Sequence, residues 1–211
     1  MRQAASLPAC GLTALQTLTK TCAVKEGDKV FIGGGSGGVG SLAVQIAKAL
    51  GAGEIWVTGS KVELIERFGA TKVINYREED VVEALSGQAF DAMVDTVGTA
   101  KQGGLKKGGR YTTIAGDGIG GIGRLVARTV ARTVKHQLGL GPHYSFFSIK
   151  TTPPDVVRDM TTLTQLVESE KLQPVLFDED YELTTESLRA MLAQSMSGRT
   201  TGKLVMTISP P

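Results

Sequence analysis

A doubly wound parallel α/β sheet is the fold class this chain predicts, and three observations carry the prediction. Apolar runs of strand length alternate with helical patterns from residue 28 to residue 115. The first strand–helix joint is glycine-rich, Gly33-Gly34-Gly35-Ser36-Gly37-Gly38-Val39-Gly40. Within it Gly35, Gly37 and Gly40 keep the spacing G-x-G-x-x-G. Such alternation implies helices on both faces of the sheet, right-handed crossovers, and ligands held at the carboxyl ends of the strands.

The elements follow in order. Residues 2–18 form a helix with Leu7, Leu12, Leu15 and Leu18 on one stripe. Gly27-Asp28 turns into a first strand over 28–32, and the helix after the glycine turn covers 42–50 and stops at Gly51. Strand two is 54–58, followed by a helix over 62–68 that ends at Gly69. Strand three is 72–76, with a helix over 78–85. Strand four is 90–95, and strand five is 110–115, starting after Gly108-Gly109. Past Gly116 comes a glycine-rich stretch, then a helix over 124–138 that carries Arg124, Arg128, Arg132 and Lys135 on one side. Those cations read as a solvated face, or as a contact for an acidic partner or an anionic membrane. A helix over 156–169 follows, then an extended acidic stretch over 174–183. Thr184-Thr185-Glu186 caps a helix that runs to about residue 195, and 202–208 closes the chain as a strand.

Bulk properties exclude several classes. The net charge is only +2, which makes no case for nucleic acid. No apolar run reaches the roughly 18 residues of a spanning helix. Cys10 and Cys22 are the only cysteines; they make neither a disulfide framework nor a metal-ligand spacing. A reducing, intracellular compartment fits, cytoplasmic or mitochondrial, with any targeting segment preceding Met1.

The glycine spacing has a chemical reading. The first glycine permits the tight turn, the second lets backbone amides approach a pyrophosphate, and the third lets helix and strand pack closely. The helix N-terminus adds partial positive charge for the phosphates. The end of strand two decides which dinucleotide. An NAD site places Asp or Glu there for the ribose 2′-hydroxyl, whereas this chain has Thr58-Gly59-Ser60-Lys61. A hydroxyl and an ammonium stand where a 2′-phosphate would be welcomed. Lys61 reads equally as a solvated residue in a first helical turn.

Several segments together resemble a known family. They are Leu7-Pro8-Ala9-Cys10-Gly11-Leu12-Thr13-Ala14-Leu15-Gln16, the turn Gly37-Gly38-Val39-Gly40 with its helix, Val73-Ile74-Asn75-Tyr76, Val94-Asp95-Thr96-Val97-Gly98, and Gly198-Arg199-Thr200-Thr201-Gly202-Lys203-Leu204-Val205. In order and spacing they resemble the medium-chain dehydrogenase/reductase superfamily, in its zinc-independent quinone oxidoreductase branch. Gly141-Pro142-His143-Tyr144 with Phe146-Phe147 is also similar to the mitochondrial reticulon-interacting oxidoreductases.

The resemblance implies a Rossmann-type sheet and NADPH as cofactor. It assigns Ser36, Gly37, Gly38, Val39 and Gly40 to the phosphates. Ser60, Lys61 and Tyr76 go to the 2′-phosphate, and Thr96, Val97 and Gly98 to the ribose and nicotinamide. Thr13 lies near the nicotinamide, and Arg199 near a cofactor-binding arginine position. It implies an oxidoreductase passing hydride to a quinone or an activated alkene or carbonyl, with no protein nucleophile and no metal. The family's barrel-like catalytic domain precedes this region, so residues 1–171 correspond to the dinucleotide-binding domain and 172–211 to a segment returning to a mostly absent catalytic domain. That absence keeps open a non-catalytic nucleotide-binding or scaffold subunit, a homodimer or a larger assembly. His136 and His143 are the only histidines, and a surface or structural role outweighs acid catalysis for either.

Overall fold

The computed structural model describes residues 1–98, 104–115, 130–131, 134 and 141–208. Six strands form one parallel sheet: β1 (Lys29–Gly33), β2 (Glu54–Thr58), β3 (Lys72–Ile74), β4 (Phe90–Asp95), β5 (Leu105–Thr113) and β6 (His143–Phe146), in the order β3-β2-β1-β4-β5-β6. The order reverses between β1 and β4, which opens a crevice at their carboxyl ends. The helices are α1 (Arg2–Gln16), α2 (Gly38–Ala49), α3 (Val62–Arg67), α4 (Val81–Leu85), α5 (Pro153–Glu168) and α6 (Thr185–Met196). A small parallel pair, β7 (Tyr181–Glu182) and β8 (Met206–Thr207), lies apart from the main sheet.

Strand alternation sorts the core into two layers. Val30 and Ile32, Ile55 and Val57, and Ala92 and Val94 face the layer that holds Leu7, Leu15 and Leu18, Val44 and Ile46 of α2, and Leu163 of α5. Phe31, Trp56 and Met93, the residues between them, face the other layer with Ile74, Leu85, Phe90, Tyr111 and Tyr144. Both faces of the central strands are buried, which is why they read as continuous apolar runs. All four leucines of the α1 stripe are buried. The helix then widens into a π-helical turn, Thr17–Thr21, where the hydroxyls of Thr19 and Thr21 donate to the carbonyls of Leu15 and Thr17.

Several expected boundaries shift for local reasons. α2 begins at Gly38, because the glycines of the turn form its first turn and Gly37 is its N-cap. β3 stops at Ile74: Asn75 Oδ1 accepts the Arg77 amide, so Tyr76 stands in a turn rather than on a strand. α4 starts only after Asp80, whose Oδ1 accepts the amides of Val82 and Glu83. β5 starts five residues early, at Leu105, and a register break between Phe90 and Ala92 absorbs Gly108 and Gly109. β6 was not expected as a strand; Tyr144 stacks on Tyr111 at 5.5 Å to hold it. The closing strand divides: Gly202 and Lys203 make isolated parallel bridges to Gly37 and Leu176, and only Met206–Thr207 pairs with β7. Arg124, Arg128, Arg132, Lys135 and His136 lie outside the described residues.

Residues 172–208 touch the sheet and its helices at defined points. Leu172 is buried in the α1–α2 layer, and the Gln45 side chain both accepts from and donates to the Gln173 backbone. The Gly202 amide donates to the Ser36 carbonyl at 2.8 Å, which ties the carboxyl-terminal segment to the glycine turn.

Candidate cofactor site

The crevice at the reversal point holds a cleft of about 500 Å³ lined by Gly34, Ser36, Gly37, Gly38, Val39, Gly40, Thr58, Gly59, Tyr76, Val81, Thr96, Val97, Gly198 and Thr200. The turn forming its floor is braced from both neighbouring strands. Thr58 Oγ1 accepts the Gly34 amide at 2.9 Å, and the Gly35 amide donates to the Thr58 carbonyl at 2.8 Å. On the other side the Thr96 hydroxyl donates to the Gly33 carbonyl at 2.6 Å. Buried Asp95 shapes the rim: its Oδ1 accepts the amides of Val97 and Gly98, and its Oδ2 accepts the Tyr111 hydroxyl at 2.8 Å.

The three fingerprint glycines are required for different reasons. A Cβ on Gly35 would lie 2.1 Å from Val57 Cγ1, and one on Gly40 would lie 2.0 Å from the Gly34 carbonyl oxygen. A Cβ on Gly37 would meet nothing closer than 3.6 Å, and its φ of −77° suits any residue. Nothing in the protein demands glycine there; what a side chain would occupy is the cleft beside the helix end. No side chain caps α2, so the amides of its first turn have no intrahelical partner and face that space. This donor set fits an anionic pyrophosphate. From behind, Cys10 Sγ backs the turn, 3.2 Å from where a Gly38 Cβ would be.

Of the residues singled out from sequence, Ser36, Gly37, Gly38, Val39, Gly40, Tyr76, Thr96 and Val97 line the cleft together. Gly98 lies one residue past the rim. Ser60 is half-buried and Lys61 exposed at the start of α3; neither forms the cleft wall. Arg199 is exposed, while its neighbours Gly198 and Thr200 form the wall. Thr13 is half-buried on α1, away from the cleft lining. Sequence reasoning did not name Gly34, Val81, Gly198 or Thr200 as site residues; it took Thr58-Gly59-Ser60-Lys61 as the deciding segment but named only Ser60 and Lys61 from it, whereas Thr58 and Gly59 are the two that line the cleft. Tyr76 is the only titratable side chain among the described lining residues.

A family profile described as zinc-binding dehydrogenase matches residues 68–206. The chain belongs to that family, in the quinone oxidoreductase-like branch of the medium-chain dehydrogenases/reductases. It is 33% identical over 195 residues to the mitochondrial NAD(P)H oxidoreductase RTN4IP1 of Bos taurus, covering 82% of this chain and 48% of the relative. It is 41% identical over 106 residues to the trans-enoyl reductase poxH of Penicillium oxalicum, covering 47% of this chain and 27% of that protein. The Escherichia coli quinone oxidoreductase complexed with NADPH superposes with a TM-score of 0.80 at 26% identity, covering 98% of this chain and 65% of that structure. The chain thus spans about half the length of the RTN4IP1 relative.

The family's description carries zinc, and the described residues do not fit it. No group of three or more His, Cys, Asp or Glu among them is placed to hold a metal ion. Cys10 faces Gly38, and Cys22 is buried against the Thr112 hydroxyl and the Met93 carbonyl. Burial pushes the Cys22 thiol up to about 11, against smaller opposing effects from Thr112, Arg110 and Thr21, so it stays protonated rather than presenting a thiolate. Among the described residues no helix is long and apolar enough to cross a membrane.

Proposed function

We propose that this chain binds NADPH and serves a hydride transfer to a small electrophilic acceptor, a quinone or an activated alkene or carbonyl. The observation that carries the reading is the cleft itself: an uncapped helix N-terminus behind a glycine turn, next to a strand end with no carboxylate at Thr58-Gly59-Ser60-Lys61. The NADPH complex of the Escherichia coli neighbour and the reductase names of the relatives support it. When bound, NADPH supplies the hydride. The chain's own part is to bind and orient: α2 amides and Ser36 hold the pyrophosphate, and Ser60, Lys61 and Tyr76 hold the 2′-phosphate. Thr96, Val97 and Gly98 border the ribose and nicotinamide, with Thr13 and Arg199 completing the set. No zinc takes part, and no side chain acts as nucleophile. Residues 1–171 act as the dinucleotide-binding domain and 172–211 as the return segment of a catalytic domain. The compartment is intracellular, and the RTN4IP1 relative favours the mitochondrion.

A second reading is a nucleotide-binding or scaffold subunit without turnover. Fluorescence titration with NADPH and NADH, followed by NADPH oxidation with a simple quinone and an α,β-unsaturated ketone, separates the two. Binding with turnover supports the reductase, binding without turnover supports the subunit, and no binding of either cofactor ends both.

A further inference from the structure

On the far side of the molecule a larger cleft, about 720 Å³, opens between the carboxyl ends of three helices. Its walls are Gln45, Lys48 and Ala49 of α2, Arg67 and Phe68 at the end of α3, and Glu170, Lys171 and Gln173 after α5. Its α2 wall, Gln45 to Ala49, lies about 10–17 Å along the helix from Gly38 at its N-terminus. The volume falls in the range of about 300–1,000 Å³ typical of small-molecule sites.

Three residues of this lining are basic, Lys48, Arg67 and Lys171, and one is acidic, Glu170. Among the described residues Lys48, Arg67 and Lys171 form no ion pair. Cations at helix ends ordinarily serve the terminal carbonyls, but here the backbone already does so. Gly51 and Ala52 donate to the carbonyls of Lys48 and Ala47, Gly69 and Ala70 to those of Glu66 and Ile65, and Glu170 and Lys171 to those of Val167 and Leu166. The cationic groups are therefore not needed as caps.

The cleft is also preformed. Gln45 bonds the Gln173 backbone in both directions, at 3.1 and 2.7 Å. The Lys48 stem lies over Gly69, where a Cβ would come within 2.4 Å of Lys48 Cδ. Nearly buried Phe68 contributes an apolar wall. Two of the three helix stops use glycine at positive φ, Gly51 and Gly69; the third uses Glu170 at φ +58°, a conformation that disfavours a side chain. Glu170 thus joins the cleft lining on a backbone held at a conformational cost.

We propose that this cleft is a second ligand site, separate from the cofactor cleft, for a small multiply charged organic anion such as a phosphate ester or a tricarboxylate. Lys48, Arg67 and Lys171 contact the anionic groups, Phe68 contacts the carbon skeleton, and Glu170 excludes ligands that crowd charge onto the rim.

The test titrates the NADPH-saturated chain calorimetrically with inorganic pyrophosphate and, in a second arm, with citrate. One equivalent of anion should bind, and the tighter arm names the anion class. The Lys48→Gln/Arg67→Gln double variant should bind at least ~10-fold more weakly, consistent with loss of two charge-assisted contacts, with NADPH affinity unchanged. Lys171→Gln provides an independent variant should the double substitution disturb folding. No binding of either anion, wild-type affinity in both variants, or displacement of the anion by NADPH would overturn the proposal.

Discussion

Gly40 lies so close against Gly34 that a Cβ on it would fall 2.0 Å from the Gly34 carbonyl oxygen, whereas the same atom on Gly37 would meet that oxygen at 3.6 Å. One clash is with the protein's own backbone, and the other position is open until a ligand arrives. The two glycines of one fingerprint therefore fail in different ways.

Gly40→Ala should destabilise the fold by about 1–3 kcal/mol, the range for forced overpacking, because backbone cannot step aside as a side chain can. Gly37→Val should fold normally, since its φ of −77° and ψ of 172° suit a β-branched residue, but it should lose NADPH. Denaturant melts and cofactor titration on both variants decide this. Retained affinity in Gly37→Val would show that the turn is only structural.

Lys61→Ala should weaken NADPH by roughly 3–30-fold, a charge-assisted contact discounted for solvent, and leave NADH nearly unchanged. Lys61 is exposed at the N-cap of α3 rather than in the cleft wall, so it must reach across to a 2′-phosphate. Titrating both cofactors against wild type and variant measures the selectivity. Equal losses for the two would remove Lys61 from the phosphate site.

The parallel sheet was legible because each central strand is a short apolar run between glycine or polar turns, as 54–58 and 90–95 are. β6 was not, because four residues of mixed character, His143-Tyr144-Ser145-Phe146, carry no periodicity of their own and depend on β5 for pairing. The cofactor cleft was legible where local backbone chemistry makes it, from Ser36 to Gly40. It was not where distant segments close it: Gly198 and Thr200 reach the wall through the Gly202–Ser36 bond, a long-range contact no local pattern encodes. Tyr76 lines the cleft from a turn, not from the strand expected over 72–76.

Acid should loosen the α1–α5 contact first. Lys20 donates to Asp159 at 2.7 Å and to Asp155 at 3.2 Å, and Gln16 donates to Asp159 at 2.8 Å. Bonds from Thr152, Arg158 and Lys20 hold the Asp155 carboxyl below its ordinary range. Burial pushes Asp159 up, but the bonds from Lys20, Gln16 and Arg158 together outweigh it and hold it low as well. Depressed folded-state values contribute stability above the unfolded value of about 3.9, and that contribution is lost as pH falls through the folded values. The melting temperature should therefore fall steeply below about pH 4, and Asp159→Asn should flatten that limb while lowering stability at pH near neutral. Parallel acid limbs in wild type and variant would place the acid sensitivity elsewhere.

The last prediction concerns α6, none of whose side chains is fully buried. Leu188, Leu192 and Met196 recur every four residues, so they share one face of the helix, and they are 43%, 52% and 86% exposed. An apolar stripe of this kind in water favours association. The chain should self-associate at micromolar to millimolar concentrations in sedimentation experiments. Leu188→Glu/Leu192→Glu should shift it toward the monomer. Leu188 and Leu192 are 43% and 52% exposed, so the same substitutions give up only part of a leucine's burial and should lower the monomer's stability by no more than about 1 kcal/mol. The helix itself should persist, since the Thr184 hydroxyl accepts the Ser187 amide at its N-terminus and neither substitution touches that cap. Undiminished association in the double variant would mean that another surface joins the copies.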